Sequence, residues 1–199
     1  MKKESRLYAF TKPLVNLYVK IFHKPKYIGL ENIPKEGKII LAGTHTHSQD
    51  SFLLMSTTKR PIHFFAKKEL WKFPKGLIFA HMGLIKVDRD RKSPESLIEA
   101  KEYLDDGKVV LIFPEGKVIT DPKEIGRVRN GAVYTAVNAG VPIVPVHICR
   151  KHHLFGKIKV TFGDKIIVDP NAKNDKELIK QESKRVLREI YKMEGLEID

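Results

Sequence analysis

His45 and Asp50, in the stretch Gly43-Thr-His-Thr-His-Ser-Gln-Asp-Ser-Phe-Leu53, are the residues whose types and spacing could move a proton. On one continuous helix they would point roughly 140° apart and could not pair. Pairing therefore requires His45 in a turn and Asp50 in the first turn of the next helix, with Ser48 or Gln49 near its cap, where the helix dipole favours an ionised carboxylate. A carboxylate bonded to one ring nitrogen fixes the tautomer and leaves the other nitrogen free to take a proton from a hydroxyl. No Gly-x-Ser-x-Gly elbow occurs and the single cysteine, Cys149, carries no mark of a nucleophile. The attacking hydroxyl should then belong to a substrate. A metal reading competes, because His45, His47 and Asp50 approach the pattern His-x-His-x-Asp-His of zinc hydrolases. Gln49 and Asp50 stand where that pattern needs Asp and His, so two ligands fall out of register and no metal is expected.

Three later stretches follow in order: Lys86-Val-Asp-Arg89 behind Gly83-Leu-Ile85, then Phe113-Pro-Glu-Gly116, then Val141-Pro-Ile-Val-Pro-Val146. With the His-x4-Asp stretch they resemble the four blocks of the glycerolipid acyltransferase family, most nearly its bacterial lysophosphatidic acid acyltransferases. The resemblance runs from Tyr27 to Phe162 and includes Ala66-Lys-Lys-Glu-Leu70. It implies transfer of a fatty acyl group from a thioester to the sn-2 hydroxyl of lysophosphatidic acid, giving phosphatidic acid in phospholipid biosynthesis. Another lysophospholipid or glycerol 3-phosphate is the alternative acceptor. The donor would be an acyl carrier protein or coenzyme A thioester, with no other cofactor. Matched position by position, His45 is the base, Asp50 its orienting acid, Arg89 the second-block arginine, Glu115 and Gly116 the third block, and Arg129 the basic residue before Gly131-Ala132. Lys67, after another strand, is a further candidate cation. A guanidinium grips a phosphate through two parallel hydrogen bonds and so places the adjacent hydroxyl. Glu115, which would repel a phosphate, should instead hold an arginine or accept from a glycerol hydroxyl, and Gly116 should let the backbone approach substrate. Two departures stand out: Lys117-Val-Ile119 replaces Thr-Arg-Ser, and His47 occupies a serine position.

Those residues need strands to carry them. After Pro25 the chain reads as a single α/β domain, residues 27–199, with a mixed, largely parallel sheet flanked by helices. Expected strands are Tyr27–Leu30, Lys38–Ala42, Pro61–Ala66, Gly83–Val87, Lys108–Phe113 and Val141–Ile148. A helix follows the His/Asp stretch at Phe52–Thr57, and Lys68–His81 is a helix interrupted at Pro74 and Gly76. Ser93 and Pro94 should start a helix that buries Leu97, Ala100 and Leu104, Asn130–Asn138 a second that Gly140 stops, and Asp175 should cap the last, with Ile179, Val186, Ile190 and Met193 on one face. Ile158–Phe162 and Ile166–Val168 suggest a hairpin around Gly163-Asp164.

Composition narrows the partners. With 42% hydrophobic and 31% charged residues the chain is not a disordered one. One cysteine allows no internal disulfide and suits a reducing compartment. No apolar run reaches the ~18 residues of a spanning helix, and no signal-peptide pattern opens the chain. A net charge of +13 points to nucleic acid, anionic lipid or an acidic carrier protein. Residues 1–26 hold seven lysines and arginines against one glutamate, +6 of the +13. There Leu7, Phe10, Leu14, Leu17, Tyr18 and Ile21 recur at helical spacing, with Pro13 expected to kink or split the helix. A basic amphipathic helix over 1–26 fits an anionic membrane surface, which places the protein at the cytoplasmic face of the membrane, peripheral or monotopic; packing on its own domain is the plainer alternative. Interleaved aromatic and basic residues or a groove-reading helix, as nucleic-acid binding requires, do not stand out.

Overall fold

Apolar runs bounded by turn residues become the strands of one sheet. In the computed structural model, which describes residues 6–72, 75–88, 95–149 and 158–198, these are β1 (Lys26–Ile28), β2 (Ile39–Gly43), β3 (Ile62–Lys67), β4 (Ile85–Val87), β5 (Val109–Ile112), β6 (Ile143–Ile148) and β7 (Lys159–Phe162). Their order is β1-β7-β6-β2-β5-β3-β4. Every neighbouring pair is parallel except β6 with β7. The helices are α1 (Arg6–Phe22), α2 (Asp50–Met55), α3 (Lys75–His81), α4 (Glu95–Asp105), α5 (Gly131–Ala139) and α6 (Lys176–Lys192).

Strands β2, β5 and β6 are buried at every position, as strands covered on both faces must be. Alternate residues of one strand serve opposite layers. Ile39, Leu41, Val109 and Leu111 pack with Tyr8 and Val19 of α1 and Leu53, Leu54 and Met55 of α2. Ile40, Ala42, Val110 and Ile112 pack with Ala100 and Leu104 of α4, Ala132 and Ala136 of α5, and Val186 and Ile190 of α6. The result is the expected α/β domain, three layers deep. Asp175 accepts the N–H groups of Glu177 and Leu178 at 2.9 and 3.0 Å and so caps α6. Gly140, at φ 61°, ends α5.

The structure departs from the sequence reading in three places. Residues 159–166 do not turn back on themselves as a hairpin. β7 runs antiparallel along β6, and beyond Gly163 Ile166 bridges to Ile143 of the same strand, so both apolar segments pair with β6 rather than with each other. The interrupted helix over 68–81 is a 3-10 turn, Lys68–Trp71, and then α3. Pro13 neither stops nor divides α1. Both Pro13 and Ala9, whose carbonyl it leaves unbonded, lie on the exposed side, where water takes the carbonyl. The inner face of α1, through Tyr8 and Val19, is part of the core. The expected start of α4 at Ser93-Pro94 lies outside the described residues.

Candidate active site

In-register pairing of β2 with β5, Ala42 opposite Ile112, brings the residues three beyond each, His45 and Glu115, side by side at the C-terminal edge of the central parallel strands. Ligands of open α/β sheets bind at that edge. Before the turn, Thr44 is pinned to β6: its N–H donates to Val146 C=O at 3.1 Å and its hydroxyl accepts from Ile148 N–H at 2.9 Å.

The turn itself is organised by one carboxylate oxygen. Asp50, fully buried at the start of α2, receives on Oδ2 the N–H of Thr46 at 2.7 Å, the N–H of His47 at 2.8 Å and His45 Nδ1 at 3.1 Å. Two backbone donors hold Asp50 as an acceptor, so the imidazole bond requires the proton on Nδ1 and leaves Nε2 with its lone pair. The His45 ring stacks on Phe113, centroids 3.9 Å apart and planes within 9°, and its side chain is 12% exposed. Ring plane, tautomer and outward edge are thereby fixed.

The His45 peptide is clamped from the β5 side. Its N–H donates to Glu115 Oε2 at 2.7 Å, and its C=O accepts from Ile119 N–H at 2.7 Å. Glu115 is fully buried, and its other oxygen accepts the hydroxyl of Tyr191, near the end of α6. The sequence reading gave Glu115 an arginine or a glycerol hydroxyl as partner. Both of its oxygens accept from protein donors, Oε2 from His45 N–H and Oε1 from the Tyr191 hydroxyl.

Gly116 follows Glu115 in the same turn. At φ 73°, a conformation open to glycine at little cost, it has Arg129 lying over it: a Cβ there would run into the Cδ and Nε of that side chain. Arg129 N–H in turn donates to Pro114 C=O at 2.7 Å. Arg129 as a whole is exposed. Lys117 pairs with Glu124 at 2.5 Å, with Arg127 3.9 Å from the same carboxylate.

The structure thus gathers His45, Asp50, Glu115, Gly116 and Arg129. Lys67, exposed at the end of β3, lies at the same edge but among the described residues bonds none of those five. Its neighbour Lys68 pairs with Asp88 at 2.8 Å. Arg89 lies outside the described residues. His47 Nδ1 accepts from Gln49 N–H at 3.3 Å, and among the described residues no group of three His, Cys, Asp or Glu is placed to hold a metal ion. Sequence reasoning missed Phe113 as the stacking partner and Tyr191 as the support of Glu115. A signal for Tyr191 did exist: it stands beside Ile190 on the buried stripe of α6, and a buried tyrosine hydroxyl normally has a partner.

Against known proteins, the acyltransferase family profile matches residues 24–149. The 1-acyl-sn-glycerol-3-phosphate acyltransferase of Borreliella burgdorferi is 28% identical over 132 residues, 65% of this chain and 52% of that protein. The enzyme of the same name from Bacillus subtilis is 30% identical over 153 residues, 73% of this chain and 72% of that protein. Several relatives are longer: this chain spans 52% of the Borreliella protein and 51% of a probable 1-acyl-sn-glycerol-3-phosphate acyltransferase from Mycoplasma pneumoniae. The crystal structure of the 1-acyl-sn-glycerophosphate (LPA) acyltransferase of Thermotoga maritima shares the fold, with a TM-score of 0.68 over 100% of this chain and 86% of that one at 24% identity.

Proposed function

We infer the chemistry from one premise: the chain belongs to the acyltransferase family. It transfers a fatty acyl group from a thioester to the sn-2 hydroxyl of lysophosphatidic acid and yields phosphatidic acid. The observation that carries this reading is the 3.1 Å bond from His45 Nδ1 to Asp50, which leaves Nε2 to face an incoming hydroxyl.

His45 Nε2 takes the proton of the acceptor hydroxyl while its oxygen bonds to the thioester carbonyl carbon. The C–S bond then breaks, and the thiolate leaves on the carrier. A thiol has a pKa of about 8.5, so its anion departs without a strong acid, and the imidazolium can return its proton. General-base assistance of this kind contributes about 10²–10⁴ in rate. Bringing hydroxyl and thioester together supplies the rest. Arg129, exposed and packed over Gly116, suits the acceptor phosphate, with Lys67 at the end of β3 and, by its place in the sequence, Arg89 as further cations. The donor is an acyl carrier protein or coenzyme A thioester, and no cofactor takes part.

Thioester consumption with lysophosphatidic acid, glycerol 3-phosphate and a neutral lysolipid offered side by side tests the acceptor. Lysophosphatidic acid is expected to turn over fastest. Preference for glycerol 3-phosphate would move the chain to the alternative acceptor, and equal use of the neutral lysolipid would remove the phosphate site.

The relevant surface is lipid. Phe10, Leu14, Leu17 and Ile21 are 71%, 57%, 55% and 47% exposed and follow one line along the outer face of α1. α3, which packs beside α1, exposes Leu77 and Ile78. Lys20, Lys24 and Lys26 are exposed around the end of the ridge. Lys12 is turned inward instead, donating to the C=O of Arg60 at 3.0 Å. An apolar ridge flanked by cations fits an anionic bilayer at the interfacial depth. Among the described residues no helix is long and apolar enough to cross a membrane. The ridge and its cations suit a peripheral seat on the cytoplasmic face, where phospholipid synthesis supplies both substrates. Leu14→Glu combined with Leu17→Glu is expected to reduce co-sedimentation with anionic vesicles by at least about tenfold, since each buried leucine contributes on the order of 1.5–3 kcal/mol. Undiminished sedimentation would remove α1 as the anchor.

A further inference from the structure

α1 is bonded to the catalytic turn itself. Gln49, between His45 and Asp50 in sequence, is the residue on which α2 begins: its C=O accepts from Phe52 N–H at 2.9 Å and Leu53 N–H at 3.2 Å. Its side-chain amide leaves the turn and donates to the hydroxyl of Tyr18 on α1 at 2.6 Å. Tyr18 is held in turn, its ring 5.0 Å from Phe22 and edge-on to His23 at 5.5 Å, and Val19 beside it is buried in the core. The same helix carries the ridge of Phe10, Leu14, Leu17 and Ile21 on its outer face.

We propose that Tyr18 is a positioning residue for acyl transfer, holding the His45–Asp50 turn through Gln49 and carrying into that turn the seating of α1 on a lipid surface. A turn of six residues bearing a catalytic base has little packing of its own. Asp50 organises it from within, Glu115 clamps its first residue, and Gln49 reaches from it to the outer helix through a side-chain bond. A bond between two fixed elements removes freedom from whichever is looser. When lipid immobilises α1, the Tyr18 hydroxyl becomes a fixed acceptor, and Gln49 with its neighbours is held to it. Coupling of this kind needs no new contact at the active site; it narrows the orientations open to His45, and the gain appears in kcat. The link to the surface rests on the lipid-facing reading of α1, whereas the positioning role rests only on the bond.

Tyr18→Phe and Gln49→Leu, singly and together, test it by kcat and acceptor KM on anionic vesicles and on a monodisperse short-chain lysophosphatidic acid. Phenylalanine keeps the ring against Phe22 and His23 and removes only the hydroxyl. A neutral hydrogen bond supports a loss of about threefold to tenfold. The expected result is that loss in kcat with KM unchanged, equal in both single variants, no larger in the double, and greater on vesicles than on the monodisperse acceptor. Wild-type kcat in Tyr18→Phe, losses that multiply in the double variant, or a change confined to thermal stability would overturn the positioning role. An equal loss in both acceptor formats would overturn the link to the surface. Vesicle co-sedimentation of Tyr18→Phe reports separately on the anchor and is expected to match wild type, and His45→Ala in the same assay reports separately on the base.

Discussion

His45→Ala is expected to lower kcat by about 10²–10⁴-fold while the protein stays folded. The asymmetry follows from how the residue is held. Its backbone N–H and C=O make the bonds to Glu115 and Ile119, and alanine keeps both. The side chain makes two contacts, the bond to Asp50 and the stack on Phe113. Losing the stack costs about 0.5–1.5 kcal/mol. Asp50 keeps its two backbone donors, Thr46 and His47, so no stranded carboxylate adds to the penalty. A domain of this size should melt only a few degrees lower, and the missing turnover is then the missing base. Thioester consumption at saturating acceptor, beside a thermal melt, checks both halves. Turnover at the wild-type level in a folded His45→Ala would end the assignment of this imidazole as base.

How far the site could be read in advance varied with the reach of each interaction. Local bonds were legible: a His-x4-Asp spacing pairs only when histidine sits in a turn and aspartate opens the helix, and that is the geometry found, with Asp50 at the first position of α2. Apolar runs of alternating allegiance gave β2, β5 and β6 because a strand buried on both faces has no other sequence solution. Long-range partners were hidden. Glu115 reads as a holder of an arginine or a glycerol hydroxyl when seen beside Gly116 alone, and two of its partners, His45 N–H and Tyr191, 76 residues later, leave no pattern in the local stretch. The hairpin expected around Gly163-Asp164 failed for the same reason. Turn residues report that a strand is interrupted, but not that both halves prefer a third strand, β6. α1 shows the mixed case, since amphipathic spacing located its apolar residues but not which of them face inward. Tyr8 and Val19 went to the core while Phe10 and Leu17 remained outside.

Glu115 gives the second large effect, and its variants separate two jobs that the sequence cannot. As a clamp, it satisfies two donors in a place that water does not reach. Glu115→Ala leaves the His45 N–H and the Tyr191 hydroxyl buried without that acceptor, each costing about 1–3 kcal/mol, for a combined loss on the order of 2–6 kcal/mol. In a domain of this length that lowers the melting temperature by roughly 10 °C, and it loosens the peptide bearing the base, so kcat falls with stability. Glu115→Gln has the same shape, and its amide can still accept from His45 N–H with its oxygen while its NH2 meets the Tyr191 oxygen. The loss should therefore be smaller and should appear mainly in kcat. Tyr191→Phe removes the second bond alone and should fall between wild type and Glu115→Ala, with acceptor KM unchanged throughout. A carboxylate that bound the acceptor would behave in the opposite way: Glu115→Gln would raise KM for lysophosphatidic acid at constant melting temperature, and Tyr191→Phe would pass unnoticed. Melting temperature and KM measured on the same three proteins decide between clamp and ligand, because burial ties the clamp to stability and a ligand has no such tie.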